Sequence, residues 1–83
     1  MLIVNPLGLH ARPAAQIVRA ASDFTSEVRL EKDGMEVNGK SIMGVMMLAA
    51  ECGSTIRIRA TGTDADAAVD ALCRLVSDGF GES

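Results

Sequence analysis

The sequence predicts a small α+β domain in which helices cover one side of an antiparallel sheet. Several short segments alternate apolar and charged residues, as strands with one wet face do. Others repeat apolar residues at helical spacing. Their order is strand, helix, strand, strand, short helix, strand, helix, and placing the helices on one face of the sheet buries every apolar face at once.

Residues 2–4 form the first short strand. Asn5, Pro6, Leu7 and Gly8 then read as a loop, since Pro and Gly both punctuate. From about Ala11 the pattern is helical, with Ala14, Ile17, Val18 and Ala21 at i, i+3, i+4 and i+7. Pro13 fits only in a first turn, where no backbone N–H is needed, so the helix must begin beside His10. Val28 and Leu30 alternate with Glu27, Arg29 and Glu31 in the next strand. Asp33-Gly34 is a hairpin signal, and Met35 and Val37 continue the pairing until Asn38-Gly39 breaks it. Ser41 is the expected N-cap of a short apolar helix over residues 42–48, and Gly53 closes the segment after it. Ile56, Ile58 and Ala60 alternate with Thr55, Arg57 and Arg59 in a last strand that Gly62 turns. Thr63-Asp64-Ala65-Asp66 resembles a capping box, with Asp66 in place of Glu. It opens a helix whose buried face is Ala65, Ala68, Val69, Leu72 and Val76, and Gly79 is its stop. The charged sheet face of Glu27, Arg29, Glu31, Arg57 and Arg59 reads as solvated rather than as a site.

With 83 residues, of which 48% are apolar, the chain can bury one modest core and is expected to be a single domain over 1–83. The two cysteines, Cys52 and Cys73, are too few for a secreted disulfide framework and read as reduced thiols in the cytoplasm. No secretory leader is expected, because the apolar run at 1–4 has no basic region before it. The longest apolar stretch, residues 42–50, is far short of the ~20 residues of a membrane span, so no membrane insertion is expected. A net charge of −3 and only two aromatic residues, Phe24 and Phe80, speak against nucleic acid as a partner.

The candidate chemistry lies in Leu7-Gly8-Leu9-His10-Ala11-Arg12-Pro13-Ala14. One histidine in the whole chain cannot build a metal cluster, and no phosphate-loop or nucleophile-elbow motif is present, so no metal and no cofactor is expected. A solitary histidine is usually an ordinary surface or core residue. Here it falls at a helix N-terminus, where backbone N–H groups and the positive end of the dipole favour an anion. Arg12 adds a guanidinium fork suited to phosphate oxygens. Gly8 lets the backbone pass closely, and the small Ala11 leaves room over the ring. A ring nitrogen with a free lone pair is a nucleophile that this setting then supports as a phosphoryl adduct. With no general base or metal clamp nearby, the site suits a group delivered by a partner rather than activation of ATP or water. That describes a carrier, not an enzyme.

The same stretch resembles the active-site segment of HPr, the histidine phosphocarrier of the bacterial phosphoenolpyruvate-dependent sugar phosphotransferase system. Val37-Asn38-Gly39-Lys40-Ser41-Ile42-Met43-Gly44-Val45-Met46 is similar to that family's regulatory-serine region. The resemblance implies an open-faced β-sandwich with four antiparallel strands and three helices on one face. It implies phosphorylation of His10 on Nδ1 by enzyme I, with IIA proteins or domains of sugar permeases as acceptors, and identifies Arg12 with the family's active-site arginine. Ser41 matches the serine that a dedicated kinase, the HPr kinase/phosphorylase, phosphorylates in many members; a plain N-cap is the competing reading. Ile42, Met43 and Met46 would join the partner-binding surface, since a short helix cannot bury every face and methionine suits adaptable docking. The first strand looks shorter than the family's, Met47 stands where many members have a small polar residue, and Glu82-Ser83 matches the family's end loosely. A monomer is expected. Within the family, the nitrogen-related regulatory branch is the alternative, against which the Lys40-Ser41-Ile42-Met43-Gly44 segment weighs. From another class, a small interaction domain without phosphoryl chemistry is the competitor.

Overall fold

A computed structural model describes residues 1–4, 8–48 and 50–81; most of the loop expected at 5–8 and the tail at 82–83 lie outside the described residues. The first helix, α1, spans Ala11–Ser22 and buries Pro13, Ala14, Ile17 and Ala21. Pro13 is its third residue, so its missing N–H removes no intrahelical bond. At the other end of α1, Lys40 Nζ donates to the Phe24 carbonyl at 2.8 Å.

Strands β1 (Glu27–Lys32) and β2 (Met35–Asn38) form the expected hairpin, with Lys32 opposite Met35 and Leu30 opposite Val37. Asp33 and Gly34 take φ of 52° and 85°, the paired positive values of a type I′ turn, whose twist matches that of the strands. Strand β3 (Arg57–Thr61) runs antiparallel to the other side of β1, giving the order β2-β1-β3. Val28, Leu30 and Val37 are buried on the helix side, while Ile58 and Ala60 are half-buried and pack against the core.

The other face is charged, as expected. Its register sets Arg29 directly opposite Arg59, a like-charge pair that would be destabilising alone. Each has an acidic partner: Arg29 Nε lies 3.0 Å from Glu27, and an Arg59 guanidinium nitrogen lies 3.6 Å from Glu36 across the sheet. Arg57 reaches Glu31 at 3.6 Å. These pairs lie at the solvated sheet face, where screening leaves each of them little effect on stability.

The expected first strand is reduced to an isolated bridge between Leu2 and Thr55, so the described residues hold three strands rather than four. Its hydrogen bonds persist: Ile56 N–H donates to Met1 O and Ile3 N–H to Ser54 O, both at 2.7 Å. Ile3 is fully buried beneath them. The pairing is too short for a ladder, yet it supplies the apolar residue that a fourth strand would have contributed.

Helix α2 spans Ile42–Met47, and helix α3 spans Ala65–Ser77. Both lie on the same side of the sheet as α1; α3 packs against β3 and β1, and α2 against β2 and α1. The core joins Ile3, Ile17, Val28, Leu30, Val45, Ile56, Leu72 and Val76. A turn over Gly79–Gly81, with all three residues at positive φ, folds the buried Phe80 back onto it.

The capping box expected at the start of α3 does not form. The N-cap is Asp64, not Thr63, and its side chain makes no cap bond. Instead its carboxylate leaves the helix and accepts the backbone N–H groups of Thr25 and Ser26, both at 2.9 Å, and the Ser26 hydroxyl. Ser26 is a buried polar side chain, 2% exposed, and satisfying it outweighs a local cap on a solvated helix end. The Ser26 hydroxyl first, and then the Thr25 amide, hold the Asp64 carboxyl down at about 2. On the helix face itself, Ala68, Leu72 and Val76 are buried, but Ala65 and Val69 are only half-buried.

Candidate functional site

The approach to His10 is set by backbone. Gly8 takes φ of 67°, and Leu9 N–H donates to Ala50 O at 2.7 Å. Leu9 itself is buried, 5% exposed, so the chain is anchored one residue before the histidine. A Cβ on Gly8 would strike the Ala50 carbonyl and come within 2.8 Å of Glu51 Cα. Glycine is therefore required both for conformation and for closeness. His10 N–H turns back to Gly8 O at 3.0 Å, and His10 O receives Ala14 N–H at 3.0 Å, the first bond of α1.

His10 is thus the N-cap of α1, with extended backbone (φ −85°, ψ −170°) and no side-chain cap bond. The ring is half-exposed rather than buried in the apolar interior. The histidine therefore stands at a helix start, where the sequence placed it. Ala11 and Arg12 follow as the first two helical residues, both exposed. Helix starts present N–H groups without intrahelical partners, and their dipole favours an anion by ~0.3–1 kcal/mol. Arg12 continues into an open groove along α1, lined by Ala15, Gln16, Arg19, Ala20 and Asp23 with Leu75 of α3. Among the described residues there is no group of His, Cys, Asp and Glu side chains that could hold a metal ion.

Helix α2 flanks this corner, because residues 50 and 51 beyond its end are the ones that hold Gly8 and Leu9. Ser41 is its N-cap: the Oγ accepts Gly44 N–H at 3.1 Å. Asn38 prepares the turn, its side-chain oxygen accepting Lys40 N–H at 2.9 Å. Only Val45 of the helix is buried. Ile42, Met43, Met46 and Met47 are 44%, 76%, 42% and 64% exposed, an apolar surface contiguous along one short helix. Ser41 caps the start of α2, and the six residues of the helix span about 9 Å at ~1.5 Å per residue. His10 and Arg12 stand at the start of α1, and Ser41 and the exposed methionines lie on α2, which packs against α1.

Sequence reasoning missed the anchoring of the His10 loop on Ala50, the Asp64 clamp on Thr25 and Ser26, and the Lys40 contact to the end of α1. No local motif marks any of them, since each joins segments far apart in the chain.

Comparisons with known proteins converge. The chain matches the family model described as PTS HPr component phosphorylation site over residues 1–78. It is 49% identical over 80 residues to phosphocarrier protein HPr of Cupriavidus necator, covering 96% of this chain and 90% of that one. Phosphocarrier protein NPr of Shewanella violacea is 41% identical over 81 residues, covering 98% of this chain and 89% of that one. The crystal structure of HPr-C-His from Thermoanaerobacter tengcongensis superposes with a TM-score of 0.96 at 46% identity, covering 100% of this chain and 93% of that chain.

Proposed function

Because the chain belongs to the HPr family of phosphocarrier proteins, which carry a phosphoryl group and are not enzymes, we propose that His10 is the residue that takes up and hands on that group. The observation that supports this is a half-exposed imidazole at the N-cap of α1, not engaged in capping. In the proposed step, the Nδ1 lone pair attacks the phosphorus of a phosphohistidine on enzyme I. The donor's P–N bond breaks, and its electron pair returns to the donor ring. The first-turn amides and Arg12 offset the charge of the phosphoryl oxygens, with Gly8 and Ala11 leaving the approach open. The reverse geometry delivers the group to IIA proteins or domains of sugar permeases.

Ile42, Met43 and Met46 are the proposed docking surface for both partners. Ser41 is the proposed regulatory site, modified by an HPr kinase/phosphorylase: a phosphate there adds about −1.5 to −2 charges on the rim of the docking surface, against an acidic partner. The chain is read as one domain working as a monomer in the cytoplasm; no described helix is long and apolar enough to cross a membrane. The sugar branch is preferred to the nitrogen-related one on the Lys40-Ser41-Ile42-Met43-Gly44 segment.

Incubation with phosphoenolpyruvate and a bacterial enzyme I tests the reading. The expected product is one acid-labile, base-stable phosphoryl group, absent from His10→Ala and present in Ser41→Ala. Charging by the sugar enzyme I rather than its nitrogen-related counterpart separates the branches, and sedimentation gives the oligomeric state. A His10→Ala protein that is still phosphorylated would end the assignment.

A further inference from the structure

We propose that Met43, Met46 and Met47 are an oxidation-sensitive modification site whose conversion to sulfoxides by a peroxide shuts off docking, and with it phosphoryl transfer, while the fold stays intact. The proposal rests on the phosphocarrier reading above.

Three of the chain's five methionines fall within the six residues of α2. They are 76%, 42% and 64% exposed, so a solvent oxidant meets these side chains without any opening of the structure. The one buried residue of the helix, Val45, is chemically inert to peroxide. In the reaction a thioether lone pair attacks one peroxide oxygen, forming an S–O bond as the O–O bond breaks. The departing oxygen leaves as water, the sulfur is oxidised by two electrons, and the peroxide is reduced. A flexible apolar side chain becomes a polar one. Thioethers lose little when a partner covers them, but a sulfoxide must be stripped of water and left without a matched donor. With Met43 and Met46 on the proposed docking face and Met47 next to them on the same short helix, that face changes from apolar to polar. The reaction leaves Val45, the buried residue of α2, unchanged, which separates this effect from unfolding. Sulfoxides are reduced by methionine sulfoxide reductases, so the change is reversible.

The test uses the full chain. Protein is treated with hydrogen peroxide, then with dithiothreitol, which restores the thiols of Cys52 and Cys73 but not methionine. Sulfoxides are mapped by peptide mass, and the initial rate of charging by enzyme I and phosphoenolpyruvate is compared before and after treatment. The expected result is oxygen added at Met43, Met46 and Met47, unchanged circular dichroism, and charging slowed at least tenfold, equivalent to about 1.4 kcal/mol. Methionine sulfoxide reductase should restore the rate. A triple Met→Leu variant of α2 should lose nothing relative to its own untreated rate. Met35→Leu, which removes an exposed thioether on β2, should leave the peroxide response as it was. Undiminished charging of the mapped sulfoxide form, unfolding on oxidation, or equal peroxide sensitivity in the triple variant would each overturn the proposal. Untreated protein that accepts no phosphoryl group would instead overturn the carrier reading itself.

Discussion

Adding one methyl group at Gly8 should damage both stability and transfer, and the structure sets the size of the effect. At φ of 67° an alanine bears about 1 kcal/mol of backbone strain. Its Cβ would also meet the Ala50 carbonyl and lie 2.8 Å from Glu51 Cα. Both obstacles are main chain, so the 50–51 segment must retreat. That movement gives up the 2.7 Å bond from Leu9 N–H to Ala50 O, about 1 kcal/mol net and more if the buried amide finds no other acceptor. The sum is about 2–4 kcal/mol, a large part of the ~4–12 kcal/mol that about 0.05–0.15 kcal/mol per residue allows this chain. Gly34→Ala is the control: its φ is 85°, but nothing lies within 4 Å of the added Cβ, so it should cost only about 1 kcal/mol of strain. With m near 1 kcal/mol/M in urea, the midpoint should fall by roughly 2–4 M for Gly8→Ala and about 1 M for Gly34→Ala. Charging by enzyme I should fall only in the first, because His10 follows two residues later. Equal midpoints for the two variants would refute the close-approach argument.

Ser41→Ala removes the cap accepted by Gly44 N–H and should lower stability by about 1 kcal/mol, read as a shift in urea midpoint. Arg12→Ala should slow charging strongly while leaving the midpoint within about 0.5 kcal/mol of wild type, since Arg12 is an exposed surface residue; an equal loss in stability would mean that it acts through packing. The Asp64 carboxyl is held at about 2 in the folded chain against 3.8 as the ordinary value. Its stabilising effect is therefore complete above about pH 4 and disappears as pH falls through 2. Urea midpoints measured from pH 6 to 2 should drop through this window in wild type and more shallowly in Asp64→Asn. An NMR titration that places the Asp64 carboxyl near 4 would remove the cause.

Helix α1 and the Asp33-Gly34 hairpin are legible in the sequence because their determinants are local. Apolar spacing, a first-turn proline and a turn dipeptide act within a few residues. His10 is legible for the same reason: the proline that fixes the helix start also fixes the histidine's place at it. The capping-box reading of residues 63–66 fails because the partners of Asp64 lie 38 and 39 residues earlier, beyond any local pattern. The first strand was visible as an apolar segment, but its ladder length depends on pairing with residues 53–56, which composition does not report. In the short helix over Ile42–Met47, sequence indicated that not every apolar residue could be buried. Which one is buried, Val45, depends on how the helix lies against β2 and α1.

The half-exposed ring of His10 stands at the start of α1. In the proposed role a single ring both takes up and hands on the group, so loading and unloading become separate encounters divided by a dissociation. Tight grip on either visitor would then stall the relay, and throughput depends on complexes that are short-lived. Adaptable thioethers at the proposed docking surface suit that demand better than interlocking rigid contacts would.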